Sequence, residues 1–107
     1  MVKYDLNLDS IFSSLSDPTR RDILQRVADR ELTVGEIAQP YQLSLAAVSK
    51  HLKVLEHSQL IVKRRKGKKQ LVKLSPLALK NAAHYLQEYQ ALWENRLDSL
   101  AQFLNTN

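Results

Sequence analysis

Ser44-Leu45-Ala46-Ala47-Val48-Ser49-Lys50-His51-Leu52-Lys53-Val54-Leu55-Glu56-His57 is the stretch from which the fold is read. Leu45, Val48, Leu52 and Leu55 recur at i, i+3, i+7 and i+10, which aligns them as one apolar stripe on a helix. On the opposite side of the same wheel lie Ala46, Lys50, Lys53 and His57, flanked by Ala47 and Ser49. Ser44 suits the N-cap, because its hydroxyl can accept from an amide that the first turn leaves unpaired. The helix therefore has an apolar back and a front that is small and polar at its start and cationic further on. An ordinary surface helix with solvated lysines would show the same wheel. Its surroundings must decide whether its N-terminal end is built to enter a DNA major groove.

Upstream, Thr33-Val34-Gly35-Glu36 has the form of a capping box, with threonine at the cap and glutamate three residues on. It opens a short helix, Val34 to about Gln39, stopped by Pro40, and Tyr41-Gln42-Leu43 makes the turn into Ser44. Ile37, Leu43, Val48 and Leu52 are placed to form the corner of a helix-turn-helix over about 33–57. Downstream, Leu60–Arg65 and Gln70–Leu74 are β-prone, and Gly67 in the Lys66-Gly67-Lys68-Lys69 link can supply the positive φ of a tight hairpin. Alternation leaves the register of this hairpin, about 60–74, open. A hairpin edge needs only a few lysines to guard it from aggregation. Six basic residues between 63 and 69 read instead as a wing laid along phosphates or into a minor groove.

The flanks read as helices. Leu8, Ile11, Phe12 and Leu15 share one side of a short helix over about 6–15. Asp17 and Pro18 then start a second, running to about Ala28 with Ile23, Leu24 and Val27 inward. Arg20, Arg21 and Arg26 on it are expected to be solvated or locally salt-bridged, given Asp17, Asp22 and Asp29 nearby. Ser75-Pro76 opens the last helix, about 76–104. Leu79, Leu86, Trp93 and Leu100 recur at sevens, with Ala83, Leu97 and Leu104 on the adjoining row; Tyr85, Tyr89 and Leu92 widen the face toward the first helix. At about 43 Å it is longer than a small domain can bury, so it predicts pairing with a second copy of the chain. The fold class is thus mainly α (α+β): one winged helix-turn-helix domain over 1–107, with a two-stranded β-hairpin wing and dimerisation helices near both termini.

Composition narrows the function. The chain has 107 residues and a formal charge of +5. Residues 1–40 hold five Lys/Arg against seven Asp/Glu, residues 76–107 two against three, and residues 41–75 nine against Glu56 alone. The whole positive excess lies in the middle third, and such a field attracts a polyanion, nucleic acid first and an anionic membrane surface second. No apolar run suits a membrane span and the first residues lack a signal-peptide layout, so a cytoplasmic protein with no membrane partner is expected. There is no cysteine, which excludes disulfides and thiolate metal sites. No phosphate loop, nucleophile–base pair or paired acids in a pocket-like setting point to an enzyme.

Three motifs resemble the ArsR/SmtB-type bacterial winged-helix repressors: Ser16-Asp17-Pro18-Thr19-Arg20-Arg21-Asp22-Ile23-Leu24, Glu31-Leu32-Thr33-Val34-Gly35-Glu36-Ile37-Ala38, and Leu43-Ser44 with Val48 to Leu55. The likeness covers nearly the whole chain, and Leu92 to Asp98 is similar to a subgroup that lacks metal ligands. Arsenic- and cadmium-type members carry cysteines where this chain has Thr33 and Gly35. The family's other well-known metal site uses Asp and His of the last helix, where this chain offers only His84, with Glu88 one turn later. No metal site and no cofactor are therefore expected.

The resemblance implies a homodimeric repressor of double-stranded DNA operators; any small-molecule or protein effector is left open. On the residues, Ser44, Ala46, Ala47, Ser49 and Lys50 are expected to face bases, with Lys53 and His51 on phosphate. In the wing, Arg64, Arg65, Lys66, Lys68 and Lys69 are expected to supply sequence-independent affinity. Leu8, Phe12, Leu86, Trp93, Leu97, Leu100 and Leu104 form the expected dimer interface. The alternatives are a metal-responsive repressor of the same fold and a winged-helix module that recruits a protein.

Overall fold

The computed structural model describes the backbone of residues 2–105 and the side chains of residues 8–105. The order is α1 (Val2–Leu15), α2 (Pro18–Asp29), β1 (Leu32–Thr33), α3 (Val34–Ala38), α4 (Leu45–His57), β2 (Ile61–Lys66), β3 (Lys69–Leu74) and α5 (Pro76–Asn105). Each helix start follows from local chemistry. The Asp17 carboxylate accepts from the Arg20 amide at 3.0 Å, and Pro18 fills a first-turn position that has no amide bond to lose. At α3 the capping box closes in both directions: Glu36 N–H donates to Thr33 Oγ1 at 3.1 Å, and Thr33 N–H to Glu36 Oε1 at 2.8 Å. Ser44 Oγ accepts from the Ala47 amide at 3.1 Å and so begins α4. Caps of this kind are each worth about 1 kcal/mol.

The end of α4 is built without glycine. Gln59 takes a φ of 63°, its N–H donates to Glu56 O, and the Leu60 N–H donates to Leu55 O. This is a Schellman ending, and the accompanying apolar contact is supplied by Leu55 and Leu60, both fully buried.

The core gathers Ile11 from α1, Ile23, Leu24 and Val27 from α2, Ile37 and Ala38 from α3, Val48, Leu52 and Leu55 from α4, Ile61 and Val72 from the sheet, and Ala78 and Ala82 from α5. Leu8, Phe12, Leu15 and Leu79 pack against its edge. Two expectations are corrected: Leu43, placed in the corner, is 41% exposed, and Leu45, placed at the head of the apolar stripe, is 61% exposed. Leu45 shares the wheel position of the stripe but stands in the first turn, beyond the reach of α2 and α3, so periodicity alone overextends the buried face.

The sheet has three strands in the order β1-β3-β2, all antiparallel, where a two-stranded hairpin was expected. Leu32 pairs with Val72 and Thr33 with Leu71, which stitches the entry to α3 onto the wing's returning strand. The register of β2 on β3 runs from Ile61↔Leu74 to Lys66↔Lys69. Ile61, Lys63, Val72 and Leu74 therefore face inward, while Val62 and Arg64 face the other side. The turn is the two residues Gly67–Lys68; Gly67 has φ +66° and no other atom crowds its Cβ position, so its role is conformational.

α5 runs unbroken for 30 residues, about 45 Å. Only Ala78 and Ala82 of it are buried. Phe12 on α1 reaches Tyr85 with ring centroids 6.3 Å apart, and Tyr85, Tyr89 and Trp93 continue as a row at 6.0 Å spacings. Beyond this the helix carries Leu86, Leu97, Leu100, Phe103 and Leu104 in the open.

Candidate nucleic-acid interface

The burial of Val48, Leu52 and Leu55 fixes which way α4 turns. Ala46, Lys50, Lys53 and His57 then lie on the exposed side, with Ala47 and Ser49 half-buried at its margins. Ser44 is exposed, but its hydroxyl already serves the cap, so any base or phosphate must share it with the Ala47 amide. The front is narrow and methyl-bearing at the N-terminal end and cationic toward the C-terminal end, a shape that fits insertion end-first into a major groove.

His51 stands at the edge of the stripe and turns toward α2. Its Nδ1 lies 3.3 Å from an Arg20 Nη. A guanidinium can only donate, so Nδ1 is the acceptor and the ring proton sits on Nε2. The same arginine donates from Nε to Ser14 O at 2.8 Å and from its other Nη to Ser13 O at 3.2 Å. Arg20 thus joins the end of α1 and the middle of α4 through α2. Arg21 donates to Leu15 O, and Arg26 spans Ile37 O and Glu36 O while lying 5.3 Å from the Tyr41 ring centre. These three arginines were expected in solvent or in ion pairs; they bind carbonyls at helix ends instead, because those oxygens have no partner within their own helix.

A second seam joins α1 to α4. Ser14 and Ser58, each 1% exposed, hydrogen-bond to each other, and Ser10 Oγ meets Ser58 Oγ at 2.9 Å. The Ser58 Oγ also lies 3.1 Å from the carbonyl oxygens of both Ser10 and Val54, either of which can accept its one proton. α4 is therefore tied to the body by hydrogen bonds at its middle and its end.

In the wing, the expected basic residues divide. Arg65, Lys66, Lys68 and Lys69 are exposed and make no ion pair among the described residues. Arg64, expected on phosphate, is already engaged: its Nε and one Nη each lie 2.7 Å from a carboxylate oxygen of Glu31. Any phosphate must therefore share the Arg64 guanidinium with Glu31. The guanidinium beside Glu31 holds that carboxyl below its ordinary range. Lys63, one residue earlier and on the other face, pairs with Glu56 of α4 at 3.2 Å. The acids escaped the sequence reading because Glu31 and Arg64 are 33 residues apart and meet only once β3 lies between them.

His84 Nε2 and Glu88 Oε1 lie 2.9 Å apart on the exposed surface of α5, one turn apart. Among the described residues no group of three or more His, Cys, Asp or Glu could hold a metal ion. Among the described residues no helix is long and apolar enough to cross a membrane.

A capped recognition helix with a small-to-cationic front, followed by a basic three-stranded wing, defines the winged helix-turn-helix class of DNA-binding regulators. A family model for a helix-turn-helix domain matches residues 15–64. The HTH-type transcriptional regulator Rv2034 of Mycobacterium tuberculosis is 35% identical over 98 residues, covering 92% of this chain and 89% of that protein. The transcriptional repressor SdpR of Bacillus subtilis is 29% identical over 90 residues, covering 84% of this chain and all (100%) of that one. The crystal structure of the ArsR family transcriptional regulator RHA00566 matches with a TM-score of 0.79 at 33% identity, over 84% of this chain and 93% of that one. An ArsR-like regulator from Rhodococcus sp. RHA1 matches with a TM-score of 0.87 at 26% identity, over 100% of this chain and 98% of that one. The chain belongs to the ArsR family of transcriptional regulators.

Proposed function

We propose that the protein is a cytoplasmic homodimeric repressor that binds an imperfect inverted repeat and blocks access to a promoter. The observation that carries the DNA contact is the orientation of α4: with Val48, Leu52 and Leu55 buried, Ala46, Lys50 and Lys53 face outward. Ser44, Ala46, Ala47, Ser49 and Lys50 read base edges, the two alanines allowing close approach and contact with thymine methyls. Lys53 holds phosphate. His51 acts from behind, through Arg20, as support for the reading surface. Arg65, Lys66, Lys68 and Lys69 give the wing its electrostatic, sequence-independent affinity. The open face of α5 supports pairing of two copies, which sets two recognition helices about 34 Å apart on successive major grooves. The name of SdpR supports repression as the outcome.

Selection of bound duplexes from random DNA tests this reading at once: an enriched inverted repeat is expected, and enrichment of a single half-site would remove the twofold arrangement. With that sequence in hand, Lys50→Ala should weaken specific binding more than non-specific binding. Equal losses would show that Lys50 contacts only phosphate.

A further inference from the structure

The far half of the hairpin carries Arg65, Lys66, Lys68 and Lys69, none in an ion pair among the described residues, yet the first two basic residues of β2, Lys63 and Arg64, each meet an acid. Lys63 and Arg64 are adjacent on β2 and so point to opposite faces of the sheet. Lys63 lies opposite Val72 on the inner face, its side chain only 15% exposed, and its ammonium meets Glu56 in the last turn of α4. Arg64 lies opposite Leu71 on the outer face and reaches across β3 to Glu31, the residue that precedes β1. The contact is two-pronged, which fixes direction as well as distance. One pair therefore ties the wing to the recognition helix. The other ties it, across the whole sheet, to the strand that leads into α3.

Acids on a surface that meets DNA oppose binding, since each repels phosphate and cancels a cation. Two carboxylates here spend that cost at the wing's root. We infer that Glu31 and Glu56 are positioning residues for sequence reading: through Arg64 and Lys63 they set the angle and distance between the wing and the recognition helix. The wing's contacts with phosphate then hold α4 in one register on the bases. This rests on the DNA-binding function proposed above. The Arg64 guanidinium is exposed, and exposed ion pairs contribute little to stability. Because the Lys63 side chain is only 15% exposed, the unfolding midpoint of each variant is read beside its affinities, which separates a folding loss from a loss of DNA reading.

The test is the ratio of affinities for a selected site and for unrelated duplex, measured for the full chain with Glu31→Gln and Glu56→Gln, singly and together. Removal of a negative charge should leave non-specific affinity unchanged or raise it, while specific affinity falls several-fold. The specificity ratio drops in each variant, most in the double. Arg64→Glu should lower it as well, and combining Arg64→Glu with Glu31→Arg should restore it by rebuilding the pair in reverse. If specific and non-specific affinities rise together in the glutamine variants, the carboxylates merely oppose the duplex and the inference is overturned while DNA binding stands. Failure of the reversed pair to recover the ratio overturns it too. If the unaltered chain shows no preference between the two duplexes, the underlying assignment fails first.

Discussion

Gln59 holds a left-handed backbone conformation that most side chains avoid. It does so because the Schellman ending of α4 must turn the chain at once into Leu60, whose N–H and side chain complete the turn. Gln59 itself is exposed, so Gln59→Gly should relieve the conformation and raise stability by about 0.5–1 kcal/mol in urea unfolding. A loss of stability would show that the side chain contributes more than the strain costs. Nothing about a glutamine marks this position in the sequence, where glycine is the usual sign. The caps, by contrast, were fully legible, because Asp17, Thr33, Glu36 and Ser44 each act within three residues of themselves. Their charge has a consequence for pH. The Arg20 amide lowers the Asp17 carboxyl, and the Thr33 amide lowers that of Glu36. Carboxyls depressed in the folded state are protonated more readily in the unfolded chain, so their stabilisation is complete above the ordinary carboxylate range and lost as pH falls through it. Stability should be flat with respect to these groups down to roughly pH 5 and decline below roughly pH 4. Asp17→Asn, which can still cap, should make that decline shallower; an unchanged decline would remove Asp17 from the account.

Among the elements, the wing shows how charge that looks uniform in sequence is divided by the pleat. Lys63 and Arg64 are spent on acids within the body, and the free cations begin at Arg65. Neutralising Arg65 and Lys68 to glutamine should therefore reduce the slope of log K against log salt by about 2, near 0.9 for each lost phosphate contact. A slope that does not move would take the wing off the duplex. The hairpin was legible from β-prone runs around Gly67. Its register was not, because apolar residues stand on both faces: Ile61 and Val72 on the inner, Val62 and Leu71 on the outer. β1 was missed outright. Two residues are too few to show a period of two, and Thr33 carried the stronger signal of a helix cap. Leu45 erred in the opposite sense, since a helical stripe gives the direction of the core and not its extent.

For the whole molecule the governing feature is α5, which leaves the core after Ala82 and presents Leu86, Trp93, Leu97, Leu100 and Leu104 along its remaining length. Its length and outward stripe were legible because no glycine or proline interrupts the heptad spacing after Pro76. Leu8 and Phe12, read with them as interface, lie half-buried against the chain's own core, so their share in pairing is limited to what they leave uncovered. A Leu97→Glu/Leu100→Glu variant should sediment as a monomer and retain the helical content of the parent. A persistent dimer would move the interface elsewhere. Trp93 is the chain's one tryptophan, 47% exposed in the middle of that face and edge-on to Tyr89. With two copies paired on this face as proposed, the indole is a native optical gauge: its emission should shift toward the red on dilution, and an emission that stays constant through dissociation would place Trp93 outside the interface.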